Sequence, residues 1–199
     1  MDDKDKLMYK LRFANVIHGI IAFASTLYWF VNLRDLTDGK MNSVFEILMM
    51  AFTTNFLLWK LLFLQFHGLL NMDTLFYHSV MLSNYLATAY LQRNYWALAL
   101  SVLPEELCNI LMGMKDLLSL NGWRYTKTSY LNDCLYCFVS ALCRLFLIPS
   151  GYYWIWNAYS INPIVLTTFP LLCMMQLDFV FQIPSIIMTR LSENHKIRQ

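Results

Sequence analysis

The sequence predicts an all-α integral membrane protein, a bundle of about six transmembrane helices. Three observations support this fold class. Hydrophobic residues make up 58% of the 199 residues and charged residues only 14%, whereas about 25% of the residues in soluble domains are charged. The apolar residues fall into six stretches of about 20 residues, the length that crosses a bilayer. Polar and turn-forming segments separate the stretches, so each is expected to be a helix of its own.

The first three predicted spans occupy residues 11–31, 43–66 and 75–91. A polar segment at residues 32–42, with Asp38-Gly39 as its turn, ends the first span. Glu46 lies near one end of the second span and Lys60 lies deeper inside it. Residues 1–10 alternate acidic and basic side chains, which is unlike a transit peptide. We expect them to form a polar tail before the membrane domain.

The last three predicted spans occupy residues 96–118, 130–148 and 163–188. Prolines should bend the fourth span at Pro104 and the sixth at Pro170 and Pro184, because proline removes a backbone donor. The fifth span should stop at Pro149, and the aromatic residues that follow it are typical of a membrane interface. Residues 189–199 are polar and should form a tail, so the six-helix domain covers residues 11–188.

Lysine and arginine side chains are distributed unevenly between the two sides of a six-span chain. Ten lie on the side of the two termini and three on the other side. The positive-inside rule then places both termini on the same inner face.

Composition also excludes several classes of protein. The formal net charge of +2 and the absence of a basic stripe predict no nucleic-acid partner. The five cysteines lie in apolar segments, which favours small buried thiols over a disulfide framework. Cys134 and Cys137 form a single CxxC pattern without a second pair, so no metal site is predicted. No cofactor is expected, although a bound phospholipid is compatible with the composition.

The candidate functional residues are ionisable side chains at membrane depth. A charge in hydrocarbon costs several kcal/mol, so these side chains must face protein or water. They are His18, Lys60, His78, Glu105, Glu106, Asp116, Asp133, Arg144 and Asp178. We expect Lys60 and Arg144 each to pair with a carboxylate of another helix, and the sequence leaves open which one. The cluster predicts either structural ion pairs or a ligand-binding or catalytic site.

His78 and the pair Glu105-Glu106 are the candidates for catalysis. A short connection at Arg93-Asn94 joins their predicted helices, so the side chains are expected to lie close together. His78 is then either a general base oriented by one of the carboxylates or a hydrogen-bonded core residue.

These landmarks resemble the TLC family, the lipid-handling membrane domain that ceramide synthases share with other TLC-domain proteins. The residues that carry the resemblance are Arg12 and His18 in the first span, Tyr77-His78 in the third, Glu106, Asn109, Lys115 and Gly122 in and after the fourth, and Asn132, Phe138, Arg144 and Pro149 in and after the fifth. The chain departs from the family where Tyr77 replaces the first histidine of a pair and where Trp59-Lys60 replaces an aspartate region. A tyrosine hydroxyl stays protonated near neutrality and is no base there. The resemblance therefore implies a retained scaffold with an incomplete acid-base set.

Three functions follow as hypotheses. The first is a non-catalytic TLC-like bundle that binds lipid in the former active-site cavity or serves as an accessory subunit of a larger membrane complex, for example a respiratory assembly. Its ion-pair or lipid-binding residues would be His18, Lys60, His78, Glu106, Lys115 and Arg144. Its partners would be membrane lipids and other membrane-protein subunits.

The second hypothesis is a lipid acyltransferase with His78 as base and Glu105 or Glu106 as orienting acid. The third is a transporter or proton path lined by Lys60, Glu106 and Arg144, which the lack of an inverted repeat disfavours. The incomplete histidine pair favours the first hypothesis over both. The family resemblance implies the endoplasmic reticulum, whereas a respiratory subunit would lie in the mitochondrial inner membrane.

Overall fold

The computed structural model describes residues 3–33, 41–157 and 163–197 of the chain. The helices are α1 (Asp3–Tyr28), α2 (Val44–Phe66), α3 (Met72–Leu91), α4 (Tyr95–Leu120), α5 (Lys127–Leu142), α6 (Ile148–Trp156) and α7 (Pro163–Ile197). A π-helical turn, Trp29–Leu33, continues α1, and a second, Cys143–Leu147, joins α5 to α6 without a break. Within these ranges the only β geometry is an isolated bridge between Met41 and Arg93. The all-α prediction is confirmed.

Four helical segments are long and apolar enough to cross a membrane, namely Asp5–Asn32, Val44–Phe66, Tyr95–Leu120 and Lys127–Tyr153. Large apolar side chains on them face outward, including Phe13, Leu48 and Phe138, as expected for surfaces that contact lipid. Judged on the described residues, α3 and α7 do not meet the same criteria of length and hydropathy. Four apolar helices indicate a membrane protein, and the count of about six crossings stays a prediction.

Several helix ends differ from those expected from the sequence. α1 begins at Asp3, inside residues 1–10, and α7 continues to Ile197, through most of residues 189–199. The prediction that Pro149 ends the fifth helix is wrong, because Pro149 is the second residue of α6 and the helix runs on to Trp156. The preceding π turn shifts the hydrogen-bond register, so the missing proline N–H is tolerated. The Asp38-Gly39 turn and residues 158–162 lie outside the described residues.

The expectation of buried thiols is only partly met. Cys108 and Cys143 are buried, Cys137 is half-buried and Cys134 is exposed. Cys134 therefore corrects the prediction, since its side chain is exposed. The side chain of Cys173 lies outside the described residues.

Polar residues at helix starts explain where α2, α3 and α5 begin. Ser43 and Glu46 form a capping box on α2, each side chain bonding the other's backbone N–H. Asn71 is the N-cap residue of α3 and Thr126 that of α5, and each side chain accepts a hydrogen bond from a backbone N–H of the first turn. Glu46 also accepts a hydrogen bond from Trp29 Nε1 at 2.6 Å. Glu46 thus ties α2 to the end of α1 and takes no part in the candidate site.

α1 and α4 form the most extensive helix pair, and they run antiparallel. Trp29 packs on Tyr95 at one end, with ring centroids 5.1 Å apart. Arg12 pairs with Asp116 at the other end, where Nε and Oδ2 are 2.9 Å apart. Glycine permits the close approach between them, because a Cβ on Gly113 would lie only 2.5 Å from a Val16 methyl group. The pairing brings the middle of α1 against the middle of α4.

Asn42 fixes the connection between α3 and α4. Its N–H donates to Gln92 O at 2.6 Å, and its side-chain oxygen accepts from Tyr95 N–H at 3.1 Å. Gln92 and Asn94 both have positive φ, which lets the chain reverse within three residues. Beyond this link α3 packs mainly against α2 and α7 rather than α4. Space therefore remains between α3 and α4 farther from the connection.

Candidate functional site

A polar cavity of about 70 Å³ lies in that space, between α1, α2, α3 and α4. Its polar lining comprises Arg12, Asn15, His18, Thr53, Lys60, Tyr77, His78, Glu105, Glu106 and Asn109. A single water needs roughly 10–15 Å³ of such space. The cavity therefore has room for a few waters or for one small polar group.

The cavity lies between the middle of the bundle and the face that carries the amino terminus of α1. Lys60 is six residues before the end of α2, and His78 is six residues after the start of α3, so each is roughly 9 Å from that face. Glu106 is 14 residues before the end of α4, which is roughly 21 Å. Lys60 is half-buried, whereas the two glutamates and both histidines are buried. The cavity is therefore most accessible near Lys60.

His18 is held by packing rather than by hydrogen bonds. Its ring stacks on Phe56, with centroids 3.8 Å apart and planes at 8°, and on Phe52 at 5.0 Å. Its Nδ1 is 3.8 Å from Glu106 Oε1, too far for a direct hydrogen bond. Its Nε2 is buried and has no hydrogen-bond partner among the described residues. An unpaired buried polar atom costs about 1–3 kcal/mol, so a water or a ligand that reached this nitrogen would relieve that cost.

His78 is fixed in one tautomer by its own helix. Its Nδ1 lies 2.8 Å from Thr74 O, and a carbonyl can only accept, so Nδ1 carries the hydrogen. Nε2 therefore keeps its lone pair, on the side of the ring away from that carbonyl. The Tyr77 ring contacts the imidazole edge-on, with centroids 5.4 Å apart. His78 is thus arranged to accept a hydrogen bond or a proton from a group in the cavity.

Glu106 and Lys60 line the same cavity at different depths. The Asn109 side chain lines the cavity together with Glu106. Lys60 interacts electrostatically with Glu105 and Glu106, and with the Arg12 guanidinium. Two carboxylates and two cations from three helices therefore share the site, and the lining as a whole is close to neutral.

The structure brings five of the sequence candidates together, namely His18, Lys60, His78, Glu105 and Glu106. Arg144 and Lys115 are not part of the cavity lining. Arg144 donates to Ser140 Oγ at 2.6 Å, at the end of α5. The Lys115 ammonium lies 5.9 Å from the centre of the Tyr136 ring. A path lined jointly by Lys60, Glu106 and Arg144 therefore does not pass through this cavity.

Asp133, considered from sequence as a partner for Lys60 or Arg144, pairs instead with Arg190. Arg190 Nη2 also donates to Ser129 Oγ at 2.7 Å, and Nη1 donates to Arg124 O at 2.6 Å. The sequence placed Arg190 in a polar tail and so missed this contact. Extending the helical pattern of α7 past Pro184 would have put Arg190 opposite the start of α5. The side chain of Asp178 lies outside the described residues.

No protein-family model, no curated protein and no solved structure matches this chain. The resemblance to the TLC family therefore rests on the residues quoted above and stays a prediction. Among the described residues, no group of three or more His, Cys, Asp or Glu side chains is placed to hold a metal ion. In the part of the chain that the structure describes, fold and site together define an all-α protein with membrane-length apolar helices and a buried polar cavity.

Proposed function

We propose that this protein is a non-catalytic membrane protein that binds the polar head group of an amphiphilic lipid in the polar cavity enclosed by α1, α2, α3 and α4. The observation that carries the proposal is the combination of ionisable side chains with unused hydrogen-bonding capacity. His18 Nε2 is buried without a partner among the described residues, and His78 Nε2 keeps a lone pair. Both histidines line the same space as Lys60.

Structural ion pairs alone would leave less capacity unused. Arg12 and Asp116 show what such a pair looks like, with direct contact at 2.9 Å. By contrast, His18 and Glu106 are 3.8 Å apart and lie beside a cavity. His18 and Glu106 are therefore buried beside a cavity without direct contact between them, an arrangement that favours a role in binding.

The lining also indicates the chemistry of the ligand. Lys60 at the accessible end favours a negative charge, and His78 Nε2 favours a hydroxyl or amide hydrogen. The volume of about 70 Å³ limits the head group to the size of a carboxylate, an amide or a phosphate. The alkyl chain would leave toward the surrounding lipid, where the outer helix faces are apolar. A fatty acid is the simplest molecule with these properties.

The non-catalytic part of the proposal is supported by Tyr77. A neutral hydroxyl next to His78 leaves the site with one imidazole on this helix instead of two. An accessory role in a larger membrane complex remains a prediction from the sequence.

Native mass spectrometry after incubation with deuterated palmitic acid tests the proposal. We expect one bound palmitate in the wild-type protein and a loss of most of it in Lys60→Met, which keeps the side-chain length without the charge. Lys127→Met is the matched control, because Lys127 is exposed at the start of α5. Equal retention by wild type, Lys60→Met and Lys127→Met would contradict binding in this cavity.

A second candidate function is acyl transfer with His78 as general base. The fixed tautomer supports it, because Nε2 is free to take a proton from a nucleophile. In this case the purified protein transfers radiolabelled palmitate from palmitoyl-coenzyme A to a lipid amine, and His78→Gln abolishes transfer. His67→Gln, at the exposed end of α2, should retain it. No transfer by the wild-type protein would exclude this function.

A further inference from the structure

A second site of different character lies at the interface of α4, α5 and α7. One part is a charged chamber of about 250 Å³, lined among others by Lys115, Asp116, Arg124, Asp133 and Arg190. The other part is an apolar groove of about 370 Å³ between α5 and α7, whose lining includes Cys134, Phe138 and Ile187. Asp133, Ile186 and Arg190 line both parts, so chamber and groove adjoin.

The two parts are arranged along the helix axes like the layers of a membrane leaflet. Lys115 lies in the last two turns of α4, and Arg124 lies in the link between α4 and α5. The groove continues along α5 from Tyr130 to Phe138, a distance of roughly 12 Å toward the middle of the bundle. The charged part is therefore near the helix ends and the apolar part is deeper.

The chamber has an excess of positive charge. Its lining carries three cations and two carboxylates, and one of these carboxylates, Asp116, also pairs with Arg12. Arg190 is occupied in holding α7 to α5, through Asp133, Ser129 and the Arg124 carbonyl. Lys115 and Arg124 are both half-buried at the chamber wall. Together with Arg190 they give the chamber wall three cationic groups against two carboxylates, and this balance favours an anionic ligand.

We propose that this site binds a glycerophospholipid with an anionic head group. The phosphate would lie in the chamber near Lys115 and Arg124, and one acyl chain would lie in the groove between α5 and α7. Charge complementarity favours this occupant, because basic clusters at membrane helix ends attract anionic lipids. This site is separate from the polar cavity enclosed by α1, α2, α3 and α4. The ion pair between Arg12, which lines that cavity, and Asp116, which lines the chamber, lies between the two sites.

Photo-crosslinking in nanodiscs tests this inference on the full-length protein. A trace of phosphatidylglycerol with a diazirine on one acyl chain should label peptides that contain residues 130–138 and 186–187. The double variant Lys115→Met/Arg124→Gln should reduce this labelling roughly tenfold, because two cationic contacts are lost. Lys127→Met removes an exposed cation that does not line the chamber, and it should label like wild type.

A second variant tests the groove without changing the charge. Cys134→Trp should fill the groove and abolish labelling, whereas Leu131→Trp, on an exposed position outside the groove lining, should not. Elution as a single peak would show that each variant is folded. The proposal is overturned if a phosphatidylcholine probe labels equally well or if the charge variant labels like wild type. Lys60→Met should leave phosphatidylglycerol labelling unchanged, so this outcome is independent of the palmitate experiment.

Discussion

Two regions of the molecule use buried charge in opposite ways. One is the polar cavity enclosed by α1, α2, α3 and α4, and the other is the contact between α5 and α7. At α5–α7, the Arg190 guanidinium donates hydrogen bonds to Asp133, Ser129 and a backbone carbonyl, so each of its three nitrogens has a partner within the protein. In the cavity, His18 and Glu106 are 3.8 Å apart and one imidazole nitrogen has no partner among the described residues. Similar residue types stabilise the fold where opposite charges are in direct contact, as in Arg190–Asp133, and can bind a ligand where they stay apart beside a cavity, as in His18–Glu106.

The largest effect is expected from Arg190→Met. This change leaves Asp133 as a buried carboxylate without its guanidinium, and breaking a buried pair costs about 3–5 kcal/mol. Unfolding titrations in mixed micelles would measure the loss, with Arg93→Met at an exposed position as the control. The double variant Asp133→Asn/Arg190→Met should recover part of the stability. A loss no larger than that of Arg93→Met would show that the contact is not structural.

A smaller effect is expected from Gly113→Ala, which tests the packing that positions the cavity. The new Cβ would lie 2.5 Å from a Val16 methyl group, so either the Val16 side chain must rotate or the two helices must shift. We expect a loss of about 1–3 kcal/mol. Gly151→Ala is the matched control, because its Cβ would meet Leu100 at an ordinary 3.6 Å. The same unfolding titration checks both, and equal stability of the two variants would contradict the close α1–α4 approach.

The smallest effect on stability is expected from His18→Phe, which sharpens the comparison. Phenylalanine keeps the stacking on Phe52 and Phe56 and removes the buried nitrogen that lacks a partner. Stability should therefore be unchanged or should rise by about 1 kcal/mol. Palmitate binding should fall in the same variant, as native mass spectrometry would show. A clear loss of stability would mean that His18 is structural.

Part of this site could be predicted from the sequence. His18, Lys60, His78 and the two glutamates interrupt apolar stretches, and hydrocarbon excludes charge, so they had to face protein or water. Their grouping in one cavity needed the helix arrangement. Arg190 was missed because the polar composition of residues 189–199 predicts a tail. In the structure α7 continues through Arg190, whose side chain contacts Asp133 and Ser129. The prediction that Pro149 ends the helix failed because a π turn changes the backbone hydrogen-bond register just before it.

The central claim of the proposed function is that Lys60 and the unused imidazole nitrogens of His18 and His78 bind a ligand in the cavity. Bound palmitate, counted by native mass spectrometry in Lys60→Met and Lys127→Met side by side, tests it most directly. The predicted result is retention by the wild-type protein and Lys127→Met with a loss of most of it in Lys60→Met. Equal retention by all three proteins would contradict the claim.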